Sequence, residues 1–199
     1  MNLPNKLTAL RLILIPFFIA AYYVEFPYHY FAALAIFALA SVTDFLDGKI
    51  ARKYNLVTDL GKFMDPIADK VLVISALVIM LGDPNSDSVF SAYGSLIKVL
   101  CGVGVVIIVA RELIISSLRM LAAKKGKVLA AEYIGKIKTF FTDVTIVLAL
   151  FADGIAAIVS NGFSKALNVS ALIAFGISVV LTVISGVSYL RKNASLFKE

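Results

Sequence analysis

Several features are scarce or absent in this chain of 199 residues. It has one cysteine, Cys101, so no disulfide can form within the chain, and a redox role is not favoured. It has no tryptophan and shows no internal repeat or low-complexity stretch. The connections between its apolar segments are short, which predicts one domain over residues 1–199 without a separate soluble part.

Apolar residues are abundant instead. They make up 60% of the chain, and the mean hydropathy of +0.93 is typical of a polytopic membrane protein. One crossing needs roughly 20 mainly apolar residues. We therefore predict an all-α bundle of six transmembrane helices, with apolar segments at about 9–25, 29–47, 68–82, 94–118, 139–160 and 169–190.

Lysine and arginine are distributed unevenly between the connections. "EFPYHY" and "GDPNSDS" have none and "NGFSKALN" has only Lys165, whereas both ends of the chain and the other two connections are basic. This positive-inside pattern predicts that both termini are cytoplasmic, in a multi-pass protein of the cell membrane. The net charge of +6 then serves orientation and anionic ligands, and nothing indicates nucleic acid.

Four aspartates interrupt this apolar chain between the second and third segments. Asp44 and Asp47 are three residues apart and Asp65 and Asp69 four, so each pair shares one face of a helix. The pair Asp65–Pro66 predicts a helix start, with proline at the first helical position. Four carboxylates brought together need cations, and carboxylate ligands favour Mg²⁺ or Mn²⁺.

Small and basic residues accompany the first acidic pair. Gly48 in a helix costs about 1 kcal/mol relative to alanine. Close approach of a ligand is one reason for it, and close helix packing is the alternative. Arg52 lies four residues further on, where it can hold a phosphate.

"DFLDGKIAR" and "GKFMDPIAD" together form the pattern DxxDGxxAR, eight residues, GxxxDxxxD. This pattern resembles the motif of the CDP-alcohol phosphotransferase family, membrane enzymes that join a CDP-activated group to an alcohol and release CMP. The resemblance implies two Mg²⁺ or Mn²⁺ ions, a homodimer and an active site at the cytoplasmic side. It also implies that Asp69 is the catalytic base and that the metal ligands are Asp44, Asp47, Asp65 and Asp69. The residues that it implies for CDP binding are Asn5, Thr8, Asp47, Gly48, Ala51, Arg52 and Gly61.

Further charges bear on the acceptor alcohol. "ARELIISSLR" places Arg111 and Glu112 inside the fourth apolar segment and Arg119 two turns later, and "GKIKT" adds Lys136 and Lys138. Charges within a span are functional by default, although ion pairing between helices is the alternative for Arg111 and Glu112. The four cations predict a pocket for the phosphate of a phosphorylated alcohol.

"NLPNKLTALR", with the basic segments just quoted, resembles the branch of the family that transfers the phosphatidyl group of CDP-diacylglycerol to sn-glycerol 3-phosphate. In that branch Asn5, Thr8 and Arg11 lie near the nucleotide. The alternatives are a cardiolipin-forming enzyme and transferases that accept inositol or serine. An ion-coupled transporter is a more distant alternative, but its charges belong near the bilayer midplane, with paired halves in the sequence.

Overall fold

A computed structural model describes most of the chain, and within that part all regular structure is helical. The described residues are 3–53, 59–83, 88–124, 129, 132–159 and 162–194, without the side chains of 3–5, 45–53, 59–63, 65, 66, 69 and 124. The helices are α1 Leu3–Tyr23, α2 His29–Lys53, α3 Asp59–Leu81, α4 Ser95–Lys124, α5 Tyr133–Ile158 and α6 Gly162–Lys192. The all-α prediction is therefore confirmed, with a helix over each apolar segment.

Four of these helices contain stretches long and apolar enough to cross a membrane, as judged on the described residues: Lys6–Tyr23, Ser95–Ala123, Tyr133–Ile158 and Gly162–Lys192. The apolar parts of α2 and α3, His29–Asp44 and Lys70–Leu81, are shorter. These two stretches border the acidic motif, where most side chains lie outside the described residues. Long apolar helices of this kind are those of a membrane protein, and the prediction of six crossings stays a prediction.

The predicted start of the third helix is wrong. α3 begins at Asp59, six residues before Asp65, and Pro66 lies inside the helix. Proline is favoured at a helix start, but a membrane helix tolerates it in the interior when neighbouring groups satisfy the freed carbonyl. Pro16 lies inside α1 in the same way. Proline is thus a weak marker of helix boundaries in this chain.

The helices form a ring in the order α1, α2, α5, α6, α4, α3, in which each packs against the next and α3 closes on α1. The core contains Phe18 of α1, which packs on Phe37 of α2 with ring centroids 6.0 Å apart. Glycines allow two close approaches. A Cβ on Gly154 would lie 2.8 Å from the ring of Phe31, and one on Gly104 would lie 2.8 Å from Phe175. Small residues at helix contacts are typical of membrane bundles.

Polarity is arranged with apolar side chains outside and many polar ones inside. Leu96 and Val106 are 70% and 66% exposed, whereas Ser178, Thr182 and Ser185 of α6 are fully buried. In water such a surface would be a large apolar patch, but in lipid it is the favourable surface. The fold therefore suits a bilayer better than water.

Candidate active site

The acidic motif lies on the last three turns of α2 and the first half of α3. Both stretches are helical, so the predicted face-sharing within each aspartate pair is compatible with the backbone. The side chains of Asp47, Gly48, Ala51, Arg52, Gly61, Asp65 and Asp69 fall outside the described residues, so their predicted roles stay predictions. Among the described side chains, no three of the histidine, cysteine, aspartate and glutamate residues come together as metal ligands.

Asp44, whose carboxylate is described, pairs with Arg11 of α1. The Arg11 Nη1 lies 2.6 Å from the Asp44 Oδ1; the Arg11 side chain is fully buried and that of Asp44 is 45% exposed. Thr8 lies one turn before Arg11 on the same helix and is also buried. The beginning of α1 therefore sits against the acidic end of α2. Asn5 lies one further turn towards the N-terminus, and its side chain is outside the described residues.

A second charged cluster surrounds Glu112 of α4. The Glu112 Oε1 accepts a hydrogen bond from the Lys138 Nζ of α5 at 2.6 Å and another from the Arg111 Nη1 at 2.9 Å. Lys138 is 4% exposed and the Glu112 side chain 16% exposed. Lys70, next to Asp69 in α3, is close enough to interact electrostatically with the same carboxylate. The ion pairing between helices that the sequence left as an alternative is therefore present.

The backbone at Lys138 makes polar contacts within α5 and with α6. The carbonyl oxygen of Lys138 accepts hydrogen bonds from the Thr142 Oγ1 at 3.0 Å and the Ser178 Oγ of α6 at 3.4 Å. The two hydroxyl oxygens are themselves 2.5 Å apart. One turn before Lys138, a Cβ on Gly135 would lie 3.3 Å from the Arg111 Nη2, so α4 and α5 approach closely here. The backbone around Lys138 thus contacts both α4 and α6.

The other two predicted acceptor residues lie outside this cluster of contacts. The Arg119 Nε donates a hydrogen bond to the Tyr189 Oη of α6 at 3.3 Å, and its guanidinium carbon lies 5.6 Å from the centre of that ring. Arg119 and Lys136 are both exposed. The structure therefore brings Arg111 and Lys138 together, while Arg119 is held against α6.

Polar residues also cluster at the opposite end of the helices. The Tyr22 Oη donates a hydrogen bond to the Asp83 Oδ2 at 2.6 Å, and the Lys98 Nζ donates one to the Asp83 carbonyl oxygen at 3.3 Å. The Nδ1 of His29 lies 3.0 Å from the Tyr22 carbonyl oxygen. These contacts join α1, α2 and α3 to the start of α4 and lie far along the helices from the acidic motif.

Three contacts at the site were not predicted from the sequence: Arg11 with Asp44, Arg119 with Tyr189, and Lys138 with Glu112. Arg11 was expected near the nucleotide, but its pairing with a predicted metal ligand was not. A signal for the first contact existed, because an arginine that opens an apolar span needs an anionic partner. Nothing in the sequence distinguished Tyr189 from the other seven tyrosines as a partner of Arg119.

Comparison with known proteins shows the family of the chain. The profile of the CDP-alcohol phosphatidyltransferase family matches residues 1–186, and the chain belongs to that family. It is 34% identical, over 99% of its length and 97% of the relative's, to the CDP-diacylglycerol–glycerol-3-phosphate 3-phosphatidyltransferase of Bacillus subtilis (strain 168). A Rickettsia felis protein of the same name is 36% identical over 98% of this chain and 97% of its own. An Escherichia coli (strain K12) protein of that name is 40% identical over 77% of this chain and 79% of its own.

Proposed function

We propose that this chain transfers the phosphatidyl group of CDP-diacylglycerol to sn-glycerol 3-phosphate, giving phosphatidylglycerol phosphate and CMP. The observation that carries the proposal is similarity over nearly the whole chain to enzymes named for this reaction. Arg111 and Lys138, which contact Glu112, and Arg119 support it, because cations suit an acceptor that carries a phosphate.

The acidic residues fit a divalent cation site. Asp44 keeps a half-exposed carboxylate while its Oδ1 pairs with Arg11, and the motif supplies three further carboxylates on two neighbouring helices. Oxygen ligands of this kind suit Mg²⁺ or Mn²⁺. We assign Asp44, Asp47, Asp65 and Asp69 to two such ions, which when bound neutralise the phosphates and the charge that develops during transfer.

The remaining motif residues act on the nucleotide and on the proton. Asn5, Thr8, Asp47, Gly48, Ala51, Arg52 and Gly61 would bind the CDP part, with Arg52 as the cationic contact to a phosphate. The hydroxyl oxygen of glycerol 3-phosphate attacks the phosphorus that bears diacylglycerol, the bond from that phosphorus to the CMP oxygen breaks, and Asp69 accepts the hydroxyl proton. CMP leaves with the bonding electron pair.

The acceptor phosphate would be bound by Arg111, Arg119, Lys136 and Lys138. Lys138 donates one N–H group to Glu112 and has further N–H groups available. Among the described residues, Arg119 donates one long hydrogen bond, to the Tyr189 Oη. Both cations therefore have donors that a phosphate can use.

We further propose six crossings, both termini in the cytoplasm, a homodimer, and the active site at the cytoplasmic face of the cell membrane, all within one domain of residues 1–199. The distribution of lysine and arginine supports the orientation, the six apolar segments support the crossings, and the homodimer follows from the family resemblance. Both substrates are charged, and a nucleotide-linked lipid and a glycerol phosphate are reached from that side.

The proposal is tested with purified protein, Mg²⁺ and CDP-diacylglycerol, by measuring CMP release with a panel of alcohols. We expect sn-glycerol 3-phosphate to give the highest kcat/KM. A preference for phosphatidylglycerol, inositol or serine would refute this acceptor while leaving family membership intact.

A further inference from the structure

Glu112 is a carboxylate in a membrane helix that contacts a cation of its own helix and one of α5. Its Oε1 accepts hydrogen bonds from Lys138 of α5 and Arg111 of α4, and Lys70 of α3 interacts with its charge. A charge at such a position is costly to bury and is retained where it has a function. Structural pairing of one cation needs one carboxylate, but here one carboxylate is shared by several cations.

The charges do not cancel. Arg111, Lys138 and Lys70 with Glu112 leave a formal charge of +2. A phosphate monoester carries about −1.5 to −2 at pH 7, so its binding brings this cluster close to neutral. Without the carboxylate, Lys138 and Arg111 would repel each other at short range in a part-buried site, where charge interactions are stronger than in water.

Glu112 also leaves donors available. Lys138 has three N–H donors and gives one to Glu112. Arg111 gives its Nη1, and in the described part of the chain its buried Nε has no hydrogen-bond partner. The carboxylate thus fixes both cations and occupies only part of their capacity.

We propose that Glu112 is a positioning residue for the acceptor, which holds Lys138 and Arg111 in the geometry that binds the phosphate of sn-glycerol 3-phosphate. This inference rests on the proposed function and adds a residue to it. Glu112 itself touches no substrate. Its loss therefore affects acceptor binding through the two cations, while CDP-diacylglycerol is held by other residues.

The test compares Glu112→Gln and Glu112→Asp with the wild type by CMP release, with each substrate varied in turn. Gln keeps the size but loses the charge, so the KM for glycerol 3-phosphate should rise about ten- to hundredfold, as for one charge-assisted contact. The KM for CDP-diacylglycerol should stay within about twofold. Asp keeps the charge one methylene further back and should give a smaller rise, a partial rescue.

Glu132→Gln is the matched control. Glu132 is a part-buried glutamate that pairs with Lys192 at 2.7 Å, but it contacts none of the proposed acceptor cations. It should leave both KM values within about twofold of the wild type. An equal rise in this control would show that any lost ion pair disturbs the enzyme, and would overturn the specific role of Glu112.

The other outcomes are equally decisive. An unchanged or lowered KM for glycerol 3-phosphate in Glu112→Gln, or a parallel rise for both substrates, overturns the inference. If that variant has no thermal transition in detergent, Glu112→Asp decides by the same two KM values. If the wild type does not use glycerol 3-phosphate, the proposed function and the inference are both refuted. If the wild type uses it and the Glu112 variants have unchanged KM values, only the role of Glu112 is refuted.

Discussion

The pair between Arg11 and Asp44 allows a quantitative prediction. Replacing Arg11 by Met and Asp44 by Asn, singly and together, isolates its coupling energy. Two unit charges 4 Å apart interact with about 1 kcal/mol in water and about 4 kcal/mol at an effective dielectric constant of 20. Arg11 is fully buried, but the Asp44 side chain is 45% exposed and water screens it. We therefore expect a coupling of about 1–2 kcal/mol.

The measurement is the thermal midpoint in detergent with a chelator present, so that no divalent ion compensates at Asp44. For a chain of this size, 1 kcal/mol corresponds to about 2–4 °C. Each single variant should lower the midpoint, and the double variant should lie about 2–8 °C above the additive expectation. The pair between Lys192 and Glu132 is a control, because its N–O distance of 2.7 Å is similar. Its coupling energy should be smaller, since the Lys192 side chain is 67% exposed and water screens it. Additive effects at Arg11 and Asp44 would refute the assigned interaction.

Three further predictions concern the proposed chemistry and orientation. Asp69→Asn should reduce kcat by at least about a hundredfold, since general base catalysis contributes about that much, and a chelator should silence the wild type until Mg²⁺ or Mn²⁺ is restored; activity retained in excess chelator would contradict the metal sites. Arg119→Gln should raise the KM for sn-glycerol 3-phosphate about ten- to hundredfold and leave that for CDP-diacylglycerol unchanged; the reverse bias would move Arg119 to the nucleotide. With Cys101 replaced by Ala, a cysteine at the exposed position Lys165 should react with an impermeant thiol reagent on intact cells and one at the exposed position Ala123 should not; the opposite labelling would invert the orientation.

The helices were predictable because membrane spans are determined by composition over many residues. Runs such as 94–118 and 169–190 have no alternative in a bilayer but a helix, since every backbone group must be paired internally. The beginning of α3 was not predictable from the same rule. There Asp59, Lys62 and Asp65 break the apolar run, and the local preference of Pro66 for a helix start indicates a later beginning than the observed one.

The candidate site, like the fold, was predictable from the sequence only in part. The spacing within the motif placed Asp44 on the end of α2 and Asp69 in α3, because a linear pattern determines positions along a helix. Contacts between distant parts of the chain follow from packing instead. Lys138 and Glu112 are 26 residues apart, and only the approach of α4 and α5 shows that they share a hydrogen bond.

The order of the helices in the ring places the acidic motif beside the charged cluster around Glu112. α2 packs on α5, and α3 packs on both α4 and α5, so the helices of the acidic motif border those that carry Glu112 and Lys138. Contacts of Asp83 with Tyr22 and Lys98, and of Gly154 with Phe31, join the opposite ends of these helices. The end of α2, the start of α3, the second half of α4 and the start of α5 therefore lie at the other end of the bundle, where Lys138 contacts Glu112. Lys70 follows Asp69 in α3 and lies near enough to Glu112 to act on its charge. Attack by one phosphate-bearing substrate on the phosphorus of another requires both anions within reach, and each needs its own cations. The fold would meet this requirement, because the helices that carry the four aspartates of the motif are adjacent to those that carry Glu112, Arg111 and Lys138.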